Sequence, residues 1–241
     1  MHVPCSRSVM AALLVCVAAS CGIAADRAPV AAEGSQPATP AADRHPELKR
    51  LTKTGEVWID PARKQVVIGA KVVLDKGPIE VFACPERTKE HEALVATRSL
   101  AQEVHAALLA IGLEPGRPVR FDPEYVPAQG PKVTVAMRWK DAAGKEQQCR
   151  AQEWIRNTKT GEQLDADWVF AGSILFKDPN DGSEYYQAEG GDLVCVSNFP
   201  AATLDLPVES SQSNEALLFE AFAGRVPPRD TEVEMILSAG D

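Results

Sequence analysis

The sequence predicts an α+β fold, mostly antiparallel β-sheet with one well-defined helix near residues 100–112. Three observations carry that expectation. Segments rich in Val and Ile, "EVWID", "KQVVIGAKVVL" and "PIEVFAC", are separated by "PARK" and "DKG" turns, the pattern of an antiparallel meander. The stretch "SLAQEVHAALLAIGLEPG" carries the clearest helical periodicity in the chain. Alternation resumes in "KVTVAMRW" and "TEVEMIL", where every second side chain is apolar.

The elements follow in order. In the helix, Leu100, Val104, Leu108 and Ile111 share one face, Ser99 and Gln102 match a capping box, and Gly112 stands where a helix C-terminus favours glycine. Pro115 and Pro118 forbid continuation. Val133, Val135, Met137 and Trp139 then alternate, "DAAGK" turns the chain and "EQQCRAQEWIR" returns it as a strand. "DWVFAGSILF", "SEYYQAE" and "DLVCVSN" are the next strands, and of the paired tyrosines one ring is expected in the core and one outside. "SNEALLFEAFAG" fits either a short helix or an alternating strand, and Val233, Met235 and Leu237 line one face of a last strand.

The N-terminus reads as an export signal. Arg7 precedes the uncharged run Val9–Ala19, which is too short for a bilayer span of about 20 residues, and Gly22-Ile23-Ala24 offers a cleavage site. "VAASC" ending at Cys21 competes as a lipid-anchor site, although Ala18 stands where such motifs carry Leu, Val or Ile. The domain reading is a signal peptide over 1–24, an Ala/Pro-rich disordered spacer over 25–46, and a β-rich domain over 47–241, single or as two packed subdomains dividing near 125. Cleavage removes Arg7 and no acid, so the net charge of −9 becomes −10. Such a chain repels phosphate backbones and anionic lipid, which argues against nucleic acid and peripheral membrane partners. No other stretch is long and apolar enough for a membrane span, so the expected location is the periplasm or the cell envelope.

The chemistry-bearing string is "ACPERTKEHEALV". It gathers Cys84, His91 and the carboxylates of Glu86, Glu90 and Glu92. Cys84 ends an apolar run before Pro85, and alternation gives it the face of Phe82, the setting of a buried and inert thiol. His91 and Glu92 lie in a polar loop after a strand, where functional side chains gather. Histidine is otherwise scarce: His2, His45 and His105 complete the set, and of these only His105, a structural helix residue, joins His91 in the expected folded part. Nucleophile-elbow, phosphate-loop and dinucleotide fingerprints are missing, and "DPNDGSE" fails the calcium-loop spacing. No cofactor is expected, since Cys84, Cys149 and Cys195 are too few for a cubane cluster.

Several strings together resemble exported bacterial proteins carrying the YdjY-like domain: "IEVFACPERTKEHEALV", "HAALLAIGLEPG", "FDPEY", "RAQEWIRN", "WVFAGS", "YYQAEGGDLVCVSNFPAATLDLPVESS" and "LLFEAF". The resemblance covers most of Glu47–Leu237, implies an exported globular protein, and supplies no catalytic residue. It draws attention to the long loop "SNFPAATLDLPVESSQSN", with Asn198, Asp205, Glu209 and Ser210. A ligand site is expected between this loop and "PERTKEHE", with His91, Glu92, Asp205 and Ser210 as its candidates. The strings of the resemblance also hold Cys84 and Cys195, the pair expected if a disulfide forms. The functional expectation is a non-catalytic binding or assembly module for an unknown protein or small-molecule ligand. The alternative is a metal- or cysteine-assisted enzyme centred on His91 and Glu92.

Overall fold

A computed structural model describes residues 43–210 and 217–240. The expected signal peptide, the Cys21 anchor and most of the spacer lie outside the described residues. The strands are β1 (Lys49–Arg50), β2 (Val57–Asp60), β3 (Gln65–Val72), β4 (Gly77–Pro78), β5 (Val81–Pro85), β6 (Ala93–Thr97), β7 (Lys132–Lys140) and β8 (Glu146–Arg150), with helix α1 (Ala101–Ala110) between β6 and β7. They continue as β9 (Ile155–Asn157), β10 (Trp168–Phe170), β11 (Leu175–Lys177), β12 (Glu184–Tyr186), β13 (Val194–Cys195), β14 (Leu204–Asp205), β15 (Phe219–Ala221) and β16 (Glu232–Ala239).

Eight of them close a barrel in the order β3-β16-β7-β10-β14-β13-β5-β6, with β6 returning to β3 through Lys71↔Ala96 and Val72↔Val95. The pairs β5–β6 and β13–β14 are parallel. This closure overturns the expected α+β class and its antiparallel sheet: α1 is the one α-helix among the described residues, and the barrel is mixed. The physical reason lies in the signal used. Alternation reports that one face of a strand is buried, and it is blind to whether the sheet closes on itself. Strands β5, β6 and β13 are buried throughout, so their apolar runs carry no directional information.

The barrel interior is filled. Val66, Ile68, Val72, Val133, Val135, Met137, Met235 and Leu237 are fully buried on the long strands, joined by Phe82, Trp154 and Trp168. The ring centroids of Phe82 and Trp168 lie 5.7 Å apart, and the Trp168 indole N–H donates to the Cys195 carbonyl at 2.7 Å. Such interdigitation leaves the core packed like an organic solid. Two edges escape closure. Strand β2 continues the sheet beyond β3, and β8 pairs only with the second half of β7.

Helix α1 packs on β2 and β3 through Val104, Ala107 and Leu108. Its expected capping box is displaced by one residue. Glu103 accepts the Leu100 N–H at 3.1 Å, while the Ser99 hydroxyl is taken by the Glu56 N–H at 3.0 Å. The next two orphan amides, of Ala101 and Gln102, donate to the Glu189 carboxylate at 3.0 and 2.9 Å, a cap supplied from 87 to 88 residues away. Gly112, at φ 92, ends the helix as the sequence predicts. Of the tyrosine pair, Tyr186 is buried and Tyr185 exposed.

The compact unit begins at Asp43, ahead of the expected Glu47. His45 therefore belongs to it, set edge-on to Trp58 at 5.0 Å on the outer face of the sheet. Trp58, Val67 and Ile236 form a small apolar cluster there, covered by Leu48.

Candidate functional site

The string "ACPERTKEHEALV" is a parallel β–loop–β unit. Because β5 and β6 are parallel neighbours, residues 86–92 must run back along the full length of the strands they join. The returning loop thereby covers the sheet's outer surface, and Lys89 is its anchor. The Lys89 ammonium lies 3.1 Å from Asp192 Oδ1 and 3.3 Å from Glu92 Oε1, and 4.2 Å above the Phe199 ring. Its stem passes so close to Gly191, at φ 129, that a Cβ there would sit 2.4 Å from Lys89 Cγ. Burial alone would lower the ammonium, but Asp192 and Glu92 outweigh it and raise it, so Lys89 is a fixed cation and no base. Burial raises the carboxyls of Asp192 and Glu80; Lys89 opposes the first rise, and the Glu92 charge adds to the second.

The loop after β13 reaches the same place from the other side through Phe199. Its polar side chains converge on Asn198, whose Nδ2 donates to Asp205 Oδ1 at 3.3 Å and to the Leu206 carbonyl at 3.1 Å. Asn198 Oδ1 accepts the Ser210 N–H at 2.8 Å and faces the Tyr125 hydroxyl at 3.5 Å. Asp205 pairs with Val169 across β14–β10 while Leu204 pairs with Phe170. Leu204 thus enters the barrel core and Asp205 points to the outer wall. There it is fully buried, and burial pushes its carboxyl up to about 8 against the hydrogen bonds from Asn198 and Leu206 that lower it.

The two loops between which a ligand site was expected touch at Lys89 and Phe199, and the four candidate side chains do not share one environment. His91 is exposed, with 78% of its side chain in solvent, and its nearest ionic partner is Glu92 at 3.7 Å. Glu92 is mostly covered and committed to Lys89. Asp205 and Ser210 are buried on the Asn198 side. Among the described residues, no group of three or more His, Cys, Asp and Glu side chains is placed to hold a metal ion. Cys84, Cys149 and Cys195 are free thiols. Cys84 and Cys195 share a cluster with Val81, so Cys84 packs with Val81 and not on the expected face of Phe82; a strand buried on both sides keeps no strict polar alternation. Burial pushes Cys84 up to about 11 and Cys149 to about 12, and Cys195 well above the ordinary range. All three are protonated at neutral pH, the wrong form for a nucleophile.

Sequence reasoning passed over a second region. An open cleft of about 710 Å³ lies on the outer wall of β3, β7 and β16, bounded by residues 44–48 and the β7–β8 hairpin. His45 Nε2 is 2.7 Å from Glu234 Oε1 and its Nδ1 is 3.1 Å from Glu47 Oε1, while Arg138 Nε donates to Glu234 at 2.8 Å. Burial alone would raise Glu234, but Arg138 and His45 outweigh it and the carboxyl ends below its ordinary value. Arg63 pairs with Asp60 at 2.9 Å and Arg44 with Glu232 at 3.0 Å. The available signal was the polar half of the alternation: Arg138 and Glu234 stand opposite each other on β7 and β16.

These features define a closed, mixed β-barrel with a filled interior and its polar chemistry on the outer wall. The chain belongs to the YdjY domain family, whose description matches residues 57–238. No curated protein matches it, and no solved structure matches it. The described residues contain no helix long and apolar enough to cross a membrane.

Proposed function

We propose that this chain is exported and serves as a non-catalytic binding module of the cell envelope, with its ligand held in the outer-wall cleft. The observation that carries the reading is a cleft of about 710 Å³, inside the range of small-ligand sites, beside a barrel whose interior is filled. Its deeper charges are already paired with one another, which holds the walls rigid without a ligand. At the rim, Lys140 and Glu146 face each other across β7–β8 and make no ion pair among the described residues. A ligand with one cationic and one anionic end, such as a short peptide, satisfies both.

Amide chemical-shift titration with zwitterionic tripeptides tests the site. Saturable shifts along the outer faces of β3 and β16, weakened by Lys140→Ala with Glu146→Ala, are the expected result. Unmoved cleft resonances across the panel overturn the ligand class, and shifts confined to His91 and Glu92 favour the enzyme alternative. Export rests on the N-terminal sequence, and the intact mass of the native protein distinguishes a start at Ala25 from an acylated Cys21.

A further inference from the structure

We propose that the chain forms a two-fold dimer in which the free edge of β8 pairs antiparallel with β8 of a second copy, centred on Gln148. Among the described residues β8 pairs with β7 alone. Which backbone groups face its other side follows from the β7–β8 turn. The Asp141 N–H donates to the Lys145 carbonyl at 2.9 Å, so these two residues form a hydrogen-bonded pair. Bonded and non-bonded pairs alternate along an antiparallel ladder, which makes Lys140↔Glu146, Arg138↔Gln148 and Ala136↔Arg150 the non-bonded ones. Glu146, Gln148 and Arg150 therefore turn their amides and carbonyls to the free edge. The Arg150 amide is taken there by Glu153 Oε1 at 3.0 Å, which leaves those of Glu146 and Gln148 to a partner strand.

The residues along this edge specify the partner. Glu146, Gln148 and Arg150 are exposed on one face of β8, and Gln147 and Cys149 are half-buried on the other. A copy running antiparallel about Gln148 sets Glu146 opposite Arg150 of the second copy, twice by symmetry, and lets the two Gln148 residues exchange both central backbone bonds. Opposite charges directly across an antiparallel pair favour the ladder. A parallel copy would set like charges side by side, and a slip of two residues would lose both charge pairs, so one arrangement is selected. Edge strands are ordinarily blunted by lysine, proline or a bulge. Strand β8 carries neither lysine nor proline, and its charges of opposite sign attract an inverted copy of itself. Arg150 serves two carboxylates at once: it holds Asp167, its side chain is still 56% exposed, and a guanidinium has five N–H donors. The contact is isologous and uses up both edges, so it closes at two copies. Glu146 also lines the outer-wall cleft, whereas Gln148 and Arg150 do not, so the dimer does not rest on the ligand reading.

Sedimentation velocity on the chain beginning at Ala25, without added ligand and from about 1 µM to about 1 mM, tests the proposal. The expected result is a reversible monomer–dimer equilibrium. Sodium chloride at about 1 M, where the Debye length is about 3 Å, should weaken it at least about threefold. Arg150→Glu and Glu146→Arg each turn two facing attractions into two repulsions and should each weaken the dimer at least about tenfold. The chain carrying both substitutions has every pair reversed and should recover to within about threefold of wild type, a rescue that misfolding cannot produce. Gln148→Pro removes the central donor, which β7 does not use, and should leave monomers. Monomers at every concentration of the wild-type chain overturn the proposal. So do a dimer indifferent to both single reversals, a double variant as weak as the singles, or a dimer that survives Gln148→Pro.

Discussion

Replacing Lys89 with methionine, K89M, removes the cation that joins the two loops while keeping a stem that fits against Gly191 and Phe199. Three carboxylates then face one another: Asp192 and Glu80 are buried and Glu92 is 18% exposed at the side chain. Breaking a buried pair from one side costs about 3–5 kcal/mol. The Lys89 side chain is 24% exposed, so solvent screens part of this and an expected loss of about 2 kcal/mol is left. The pH dependence gives the sharper test. Asp192 and Glu80 already have folded-state values above their unfolded ones. A carboxyl raised in this way contributes stability that is fully present below its unfolded value, near pH 4, and is lost as pH rises through the folded value. Without Lys89 the rise is larger, so the variant's deficit should shrink by at least about half between pH 7.5 and pH 4.5. Urea unfolding followed by tryptophan fluorescence measures this, with an unchanged slope showing that the unfolded state is comparable. A deficit under about 0.5 kcal/mol, or one equal at both pH values, would refute the reasoning that Lys89 is the electrostatic anchor of this surface.

Glu189→Ala should destabilise the chain by about 1 kcal/mol, because the Ala101 and Gln102 amides lose their carboxylate; a neutral result in urea melts removes Glu189 as the helix cap. On the chain beginning at Ala25, thiol reagent at pH 8 should label none of Cys84, Cys149 and Cys195 in the native state within minutes and all three after denaturation. A count of one after denaturation would reveal a bridge between two of the three. His91→Ala should change stability by no more than about 0.5 kcal/mol and Cys84→Ala should lower it by about 1 kcal/mol or more, so melts that reverse this order contradict the placement of the two residues.

Much of the local structure was legible in the residues. The faces of β7 and β16, the helix with its end at Gly112, the division of Tyr185 from Tyr186 and the burial of Cys84 all follow from periodicity, glycine conformation and apolar runs, which act over a few neighbouring residues. Everything that depends on pairing across the chain had to come from the tertiary structure. Closure through Lys71 and Val72, the parallel order of β5 and β6, the Glu189 cap on a distant helix and the joining of His45 to Glu234 each link residues whose local sequence carries no mark of the partner. His91 and Asp205 show the same division at the site. Composition makes both look like surface ligands, but a strand position facing the outer wall under the Tyr125 hairpin buries one, and a loop turned to solvent exposes the other. Burial is a property of what packs above a residue, and that is decided only when the barrel closes.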